Sequence, residues 1–274
     1  MKTLMGRVAR TIRCQYRHAE LKIARRLGNN CYDHVRFRQT TGYRLHYRHP
    51  QTLNEKLMWL NRYWQPQLKA DCTDKYKVRQ YVEEKGLKSL LIPLLGVYYN
   101  ADEIDFDTLP EQFVLKCNHG CGYNLFCRDK KVFDIKQARA QLNAWLKKDY
   151  SKVAGERHYT YIQPCIVCEQ LISEQPPMEY QFWCVNGRPD SCLVCRKNMD
   201  GTYDSWSYSL DWKRLYERTE ENKENLETPP AHYDEMQRYA EVLSAPFPFV
   251  RVDFYEVNNK VYLAELTFTG GGFY

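Results

Sequence analysis

The stretch "RVDFYEVNNKVYLAELTF", residues 251–268, carries three charged side chains at spacings that suit phosphate chemistry. Arg251 and Asp253 are two residues apart, so on a strand they share a face. Asn258-Asn259 reads as a turn, and the returning strand brings Glu265 near Asp253. Two carboxylates and an arginine on an otherwise apolar sheet are costly to bury unless they bind something. Mg2+ bridging phosphate oxygens suits them, because it takes oxygen ligands and pairs with substrate phosphates. The competing reading is a salt-bridged, solvent-exposed sheet face.

A second stretch, "FVLKCNHGCGYN" (113–124), ends an apolar run on Lys116 and places Gly120 and Gly122 around Cys121. Glycines let backbone N–H groups approach an anion, and a lysine at a strand end supplies a compact positive charge. The order, lysine before glycine, is not that of a Walker loop. A plain glycine-rich turn, or a metal knot of Cys117, His119 and Cys121, would read similarly. Two further pairs, Cys165/Cys168 and Cys192/Cys195, have the spacing of a structural zinc site. They lie in strand-like runs, where residues i and i+3 point to opposite faces. The expectation is that these cysteines pack as small apolar residues.

The elements that must hold these groups are read from periodicity and punctuation. "QTLNEKLMWLNRYW" (51–64) is a helix with a capping box, Thr52 and Glu55. "DCTDKYKVRQYVEEKG" (71–86) is read as one helix ended by Gly86. "LLIPLLGVYY" (90–99) is extended, and 100–112 is polar turn material with a short helix at most. "FVLKCN" and "NLFCRDKKVF" are a strand and its return. "DIKQARAQLNAWLKKDY" (134–150) is an amphipathic helix, with Ile135, Ala138, Leu142 and Trp145 on one face. "CIVCEQLI" (165–172) is a strand, 179–197 a hairpin about Asn186-Gly187, 221–230 a polar connection, 233–245 a helix and 249–268 the second hairpin. The fold class is α+β. A basic helical segment (1–50) precedes a small α/β part (51–164) and a mostly antiparallel part (165–274).

The 274 residues allow one or two domains. No apolar run approaches the roughly 20 residues that span a bilayer, and the start lacks the apolar core of a signal peptide. The expected location is the cytoplasm. Eleven cysteines, an odd number in a long chain, argue against a disulfide framework. Charge is uneven: residues 1–50 hold twelve Lys/Arg and two acids, and the remainder holds 28 bases and 32 acids. Leu4, Val8, Ile12, Tyr16, Ile23 and Leu27 recur at helical spacing, with Arg7, Arg10, Arg13 and Arg17 elsewhere on the helix. That segment is read as a helix docked on the body, or as a foot on an anionic membrane surface or acidic polymer. Nothing resembles a nucleic-acid module.

Several phrases together resemble a known family. A helix carrying "DKYKVR", a strand ending "VLK" before a glycine loop, a strand "VCEQLI" and the pair "RVDFY…AELTF" follow the order of ATP-grasp enzymes. "LNEKLMWL", "IPLLGVY", "LPEQFVLKCNHG", "FPFVRVDFY" and "ELTFTGG" resemble the TupA-like ATP-grasp family of cell-surface polymer biosynthesis, from about residue 50 to the end. The resemblance implies two α/β lobes with antiparallel sheets gripping ATP. It implies Lys75 and Lys116 as phosphate-binding lysines, and the loop Gly120–Tyr123, with Gly122 and neighbouring His119, over the phosphates. Glu169, Gln170 and Ile172 match the adenine-holding segment and Glu179 the ribose-binding acid. Arg196 or Lys197 stands near a further phosphate-binding base. Arg251 matches the arginine that steadies the transferred phosphoryl group, with Lys116 assisting, and Asp253 and Glu265 match the Mg2+ ligands. His119 is a base for the amine or, alternatively, a loop histidine with a structural hydrogen bond.

The sequence departs from the family pattern at Thr267, where Glu-x-Asn is usual, and at Gln170, where many relatives carry lysine. A further C-terminal helix would be expected after "TGGGFY". The implied activity is carboxylate–amine ligation through an acylphosphate. It would amidate a uronic acid of a bacterial surface polysaccharide (a capsule, O-antigen or teichuronopeptide-like glycan) with an amino acid or other amine. The basic segment would meet an acidic, lipid-linked glycan at the inner membrane face. Rival readings are a phosphotransferase on the same ATP scaffold, a glycosyltransferase using a metal and a nucleotide sugar, and a zinc-clipped binding protein.

Overall fold

The computed structural model describes residues 16–198, 201–216, 226 and 228–269. Leu4, Val8 and Ile12, their interleaved arginines, most of the 221–230 connection and the "GGGFY" tail lie outside the described residues. The chain divides into two compact units: residues 1–65 with 151–157 and 269–274, and residues 66–150 with 158–268.

The first unit is helical. Helix α1 is described over 16–26, and Gly28 at φ 107° separates it from α2 (Asn29–Thr41). The expectation that the α1 stripe docks is not met for its described members. Tyr16, Ile23 and Leu27 are 73, 59 and 73% exposed, and Ala24 is buried instead. Helix α2 ends on Gly42 in the left-handed region, its N–H donating to Arg38 O. Helix α3 (Leu53–Tyr63) opens with the expected capping box. Glu55 is buried and accepts from the backbone N–H groups of His46, Gln51 and Thr52.

In the second unit the helix expected over 71–86 is two helices, α4 (Gln67–Thr73) and α5 (Val78–Glu84). The break is made by Asp74, whose carboxylate accepts from Tyr76 N and Lys77 N while its own backbone is extended. Side-chain competition of this kind is why aspartate interrupts helices. Strands β1 (Leu94–Tyr98), β2 (Phe113–Cys117), β3 (Asn124–Cys127) and β4 (Ile166–Gln170) form one antiparallel sheet in the order β1-β4-β2-β3. Helix α6 (Ile135–Leu146) covers one face, and Leu142 packs with Phe113, Leu115, Ile166 and Cys168. The short helix α7 (Tyr150–Ala154) follows.

The second sheet runs β10-β9-β5-β6-β7-β8. Its strands are β5 (Glu179–Val185), β6 (Arg188–Lys197), β7 (Tyr203–Ser209), β8 (Arg214–Tyr216), β9 (Phe249–Val257) and β10 (Lys260–Thr267). Asn186-Gly187 and Asn258-Asn259 make the expected hairpin turns, all at positive φ. Helix α8 (Tyr233–Ser244) packs on the face bearing Phe182, Val194 and Phe254. Alternation along the strands leaves the other face to Glu179, Gln181, Arg251 and Asp253. β4 pairs with β1 and β2, so Ile166–Gln170 belongs to the first sheet.

Candidate active site

The chemistry begins on the β9–β10 hairpin. Asp253 is fully buried, and Arg251 grips it with two hydrogen bonds, Nε to Oδ1 at 2.7 Å and Nη2 to Oδ2 at 2.5 Å. The same guanidinium reaches Glu265 Oε1 and Thr267 Oγ1, each at 3.3 Å, and Thr267 donates to Glu265 at 2.6 Å. Thus Thr267, where the family pattern has asparagine, belongs to this cluster. Burial raises the Asp253 carboxyl to about 8, the Arg251 guanidinium opposing it and Glu179 and Glu265 adding to it. Burial also acts to raise Glu265, but Arg251 and Lys75 outweigh it and hold that carboxyl below its usual range.

The adjoining strands extend this face. Glu179 pairs in register with Tyr255, and Gln181 with Asp253. Gln181 Nε2 donates to Glu179 at 2.8 Å. Burial raises the Glu179 carboxyl, and Glu265 pushes the same way. Strand parity puts Arg196 and Lys197 on opposite faces. Cys195 is opposite Glu179, so Lys197 lies on the Glu179 face. Arg196 lies on the other face, paired with Asp204 and stacked over Trp206.

The first sheet contributes the cations. Lys116 Nζ meets Glu169 Oε2 at 2.6 Å and Arg79 Nη1 meets Oε1 at 3.1 Å, so each oxygen of this buried carboxylate has its own cation. Lys75 Nζ donates to Gly120 O at 2.7 Å, which ties the glycine loop to the segment between α4 and α5. Gly122 has φ +75°, a conformation an L side chain resists. Lys75, Arg79, Lys116, Glu169 and Glu265 line one narrow cleft of about 50 Å³. Both sheets therefore face it.

Other expected site residues are placed differently. His119 is buried, with Nδ1 beside Asn118 Oδ1 at 3.3 Å and Nε2 at 3.2 Å from Trp145 O. It ties the loop to α6. Burial keeps its ring below the usual imidazole range. Gln170 is exposed and borders a broad surface depression with Arg128 and Leu171, and its backbone N–H is bonded to Pro93 O. Ile172 is half-buried on the segment between β4 and β5.

Cys192 is fully buried on the α8 side, and strand parity turns Cys195 the other way. Among the described residues no group of three or more His, Cys, Asp or Glu side chains could hold a metal ion by itself. Asp253 and Glu265, two hard-oxygen donors on one face, fit Mg2+, which needs few protein ligands when phosphates supply the rest.

Four members of the cluster were not picked out from sequence: Arg79, Gln181, Tyr255 and, as a participant, Thr267. Each had a signal. Gln181, Tyr255 and Thr267 are two residues from Glu179, Asp253 and Glu265, hence on their face, and Arg79 is four residues from Lys75, one turn of the helix read over 71–86. Tyr255 is ringed by Glu179, Glu265, Asp253 and Glu169, which hold its phenol neutral on top of the effect of burial.

A family model described as TupA-like ATPgrasp matches residues 55–274. Among solved structures, an L-amino acid ligase from Bacillus licheniformis aligns at TM-score 0.50 and 14% identity, covering 81% of this chain and 49% of its own. D-alanyl-alanine synthetase A from Vibrio cholerae aligns at 0.49 and 13%, covering 80% and 63%. D-alanine–D-alanine ligase from Bacillus anthracis aligns at 0.44 and 15%, covering 73% and 58%. The chain thus spans less than two thirds of the length of these structures. A search of curated proteins gave no match. Among the described residues no helix is long and apolar enough to cross a membrane.

Proposed function

The chain belongs to the TupA-like ATP-grasp family and has the ATP-grasp α+β fold, and from that premise we propose that it is an ATP-dependent ligase joining a carboxylate to an amine. The observation that carries this reading is the convergence of Lys75, Lys116 and Glu265 on one cleft, with Arg251 and Asp253 beside Glu265.

ATP is the phosphoryl donor. Lys75, Lys116 and the backbone N–H groups of the Gly120–Tyr123 loop take its phosphates, with Lys197 as a further base. Glu169 and the backbone of Gln170 and Ile172 take adenine, and Glu179 takes the ribose. Asp253 and Glu265 would hold Mg2+, which would supply charge neutralisation for the phosphates. Arg251, bonded to both Asp253 oxygens and to Glu265, would steady the transferred phosphoryl group. The acceptor carboxylate displaces ADP to give an acylphosphate. The amine then attacks the acyl carbon, phosphate leaves and the amine loses a proton. No side chain forms a covalent bond, and positioning with charge neutralisation supplies the rate. His119 holds the loop rather than accepting the proton.

We assign residues 51–164 to the N-terminal and central lobes and 165–274 to the C-terminal lobe, with β4 joined to the central sheet. The acceptor is a uronic acid of a bacterial surface polysaccharide or its precursor, and the donor an amino acid or amine. The family's tie to surface polymers and the basic segment support this choice, together with a cytoplasmic site of action at the inner membrane face. The test is thermal unfolding with Mg2+, Mg-ADP or Mg-ATP, on the wild type and on Glu265→Ala, followed by ADP release with uronic acids and amines. Nucleotide at a hundredfold its Kd stabilises by about 2.7 kcal/mol. An unchanged transition with every adenine nucleotide refutes the reading, and ADP release that ignores the amine refutes the ligase step.

A further inference from the structure

The first unit holds a second cavity, of about 530 Å³, between α1, α2 and the segment after Gly42. Its charged lining is Arg38, Arg44, His34 and His46, with Glu20 as the single acid. Glu20 is engaged by Gln39 Nε2 at 2.7 Å. Among the described residues neither Arg38 nor Arg44 has an ion pair or side-chain hydrogen bond. Burial, opposed by Asp33, keeps His34 below its usual range, with Arg62 and His46 adding to that. Two exposed guanidiniums without a protein partner among the described residues, with a single acid in the lining, favour an anion in the hollow.

We propose that this cavity binds an acidic sugar, its carboxylate taken by Arg38 and Arg44. A guanidinium pairs with carboxylate through two parallel hydrogen bonds, which a lone lysine cannot offer. The other walls suit a pyranose ring. Half-buried Val35 offers an apolar contact to its C–H face, and Gln39 Oε1 and Glu20 Oε1 offer acceptors to hydroxyls, since Gln39 Nε2 already donates to Glu20 and Arg17. The volume lies within the roughly 300–1,000 Å³ of small-molecule sites. No aromatic ring other than the two histidines lines it, so stacked nucleobases are not what it fits. The inference rests on the proposed reaction only in treating the anion's carrier as the acceptor's sugar. The cavity itself lies in the first unit, and the nucleotide cleft in the second.

The experiment is titration calorimetry on the full chain with glucuronate, galacturonate, glucose and inorganic phosphate. It is repeated on the double variant Arg38→Gln/Arg44→Gln, and on Arg48→Gln as an exposed basic control outside the lining. The expected result is binding of a uronate at least about tenfold tighter than glucose or phosphate. That preference falls at least about tenfold in the double variant, persists in Arg48→Gln and weakens with salt. Mg-ADP stabilisation persists in all three proteins, which shows that they fold. Equal uronate binding in the double variant, or no uronate binding at all, overturns the assignment. Inorganic phosphate matching uronate reduces the cavity to a simple anion site and overturns it too. Uronate binding with no response to Mg-ADP leaves the cavity standing and refutes the ligase reading instead.

Discussion

Glu265 faces Asp253 because the β9–β10 ladder skips Ala264. The Asn258-Asn259 turn pairs Lys260 with Val257 and runs unbroken to Leu263 opposite Phe254. The next pair is Glu265 with Asp253. An unbroken ladder would set Ala264 opposite Asp253 and turn Glu265 to the apolar face of Val252. A one-residue slip in a strand moves every later side chain to the other face, and the bulge makes that slip here on the functional side.

Deleting Ala264 should straighten the ladder and keep the site. Leu263 pairs with Phe254, so without the extra residue Glu265 is still the next to pair, opposite Asp253. Glu265→Ala, at a side chain about 41% exposed, should leave stability within about 1 kcal/mol. The deletion should retain the Mg-ADP shift, and Glu265→Ala should lose it. Urea unfolding with and without nucleotide measures both. Loss of the shift in the deletion variant would mean that the bend made by the bulge, and not pairing alone, sets the carboxylates.

Mg-nucleotide binding should release protons. Asp253 is raised to about 8 and Glu179 is raised as well, both first by burial. A divalent cation takes the ionised carboxylates, so binding favours the deprotonated site. Affinity should rise with pH over roughly pH 6 to 8, by at most about tenfold per unit per proton released, and level off above. Calorimetry in two buffers of different ionisation enthalpy reads the proton count directly. Net proton uptake would contradict this account.

Lys197 and Arg196 are neighbours with opposite expected phenotypes. Lys197→Ala removes a cation from the Glu179 face and should weaken ATP binding several-fold with little change in stability. Arg196→Ala breaks the Asp204 pair and the stacking on Trp206. It should cost about 1 kcal/mol, since the pair is partly exposed, and leave ATP binding intact. Nucleotide titrations on the two variants decide which face each side chain serves.

Arg79 is expected to act on the nucleotide through Glu169. With Arg79 present, Lys116 can leave Glu169 for a phosphate without stranding a buried carboxylate. Arg79→Gln should cost about 1–2 kcal/mol in stability and raise the KM for ATP, with kcat changed much less. Arg79→Lys should recover part of the KM. A fall in kcat at unchanged KM would instead mean that Arg79 meets the reacting groups itself.

The elements that local chemistry specifies were legible in the sequence. The capping box at Thr52 and Glu55, the turns at Asn186-Gly187 and Asn258-Asn259, and the strand parity of Arg251 and Asp253 all follow from contacts between near neighbours. The order of motifs added the family and the α+β fold, and it proposed Lys75, Lys116, Asp253 and Glu265, which the structure brings to adjoining places. Tertiary structure decided what depends on distant partners. Asp74 broke a helix that periodicity reads as continuous, because its carboxylate found nearby N–H groups and α4 and α5 pack separately. Which cation meets Glu169, and that His119 turns to Trp145 rather than to the cleft, depend on strands and helices far apart in sequence. The bulge at Ala264 is the clearest case. Hydrophobic alternation permits either register of β10, and only the assembled sheet, with Leu266 packed inward beside Val252, brings the second carboxylate to the first.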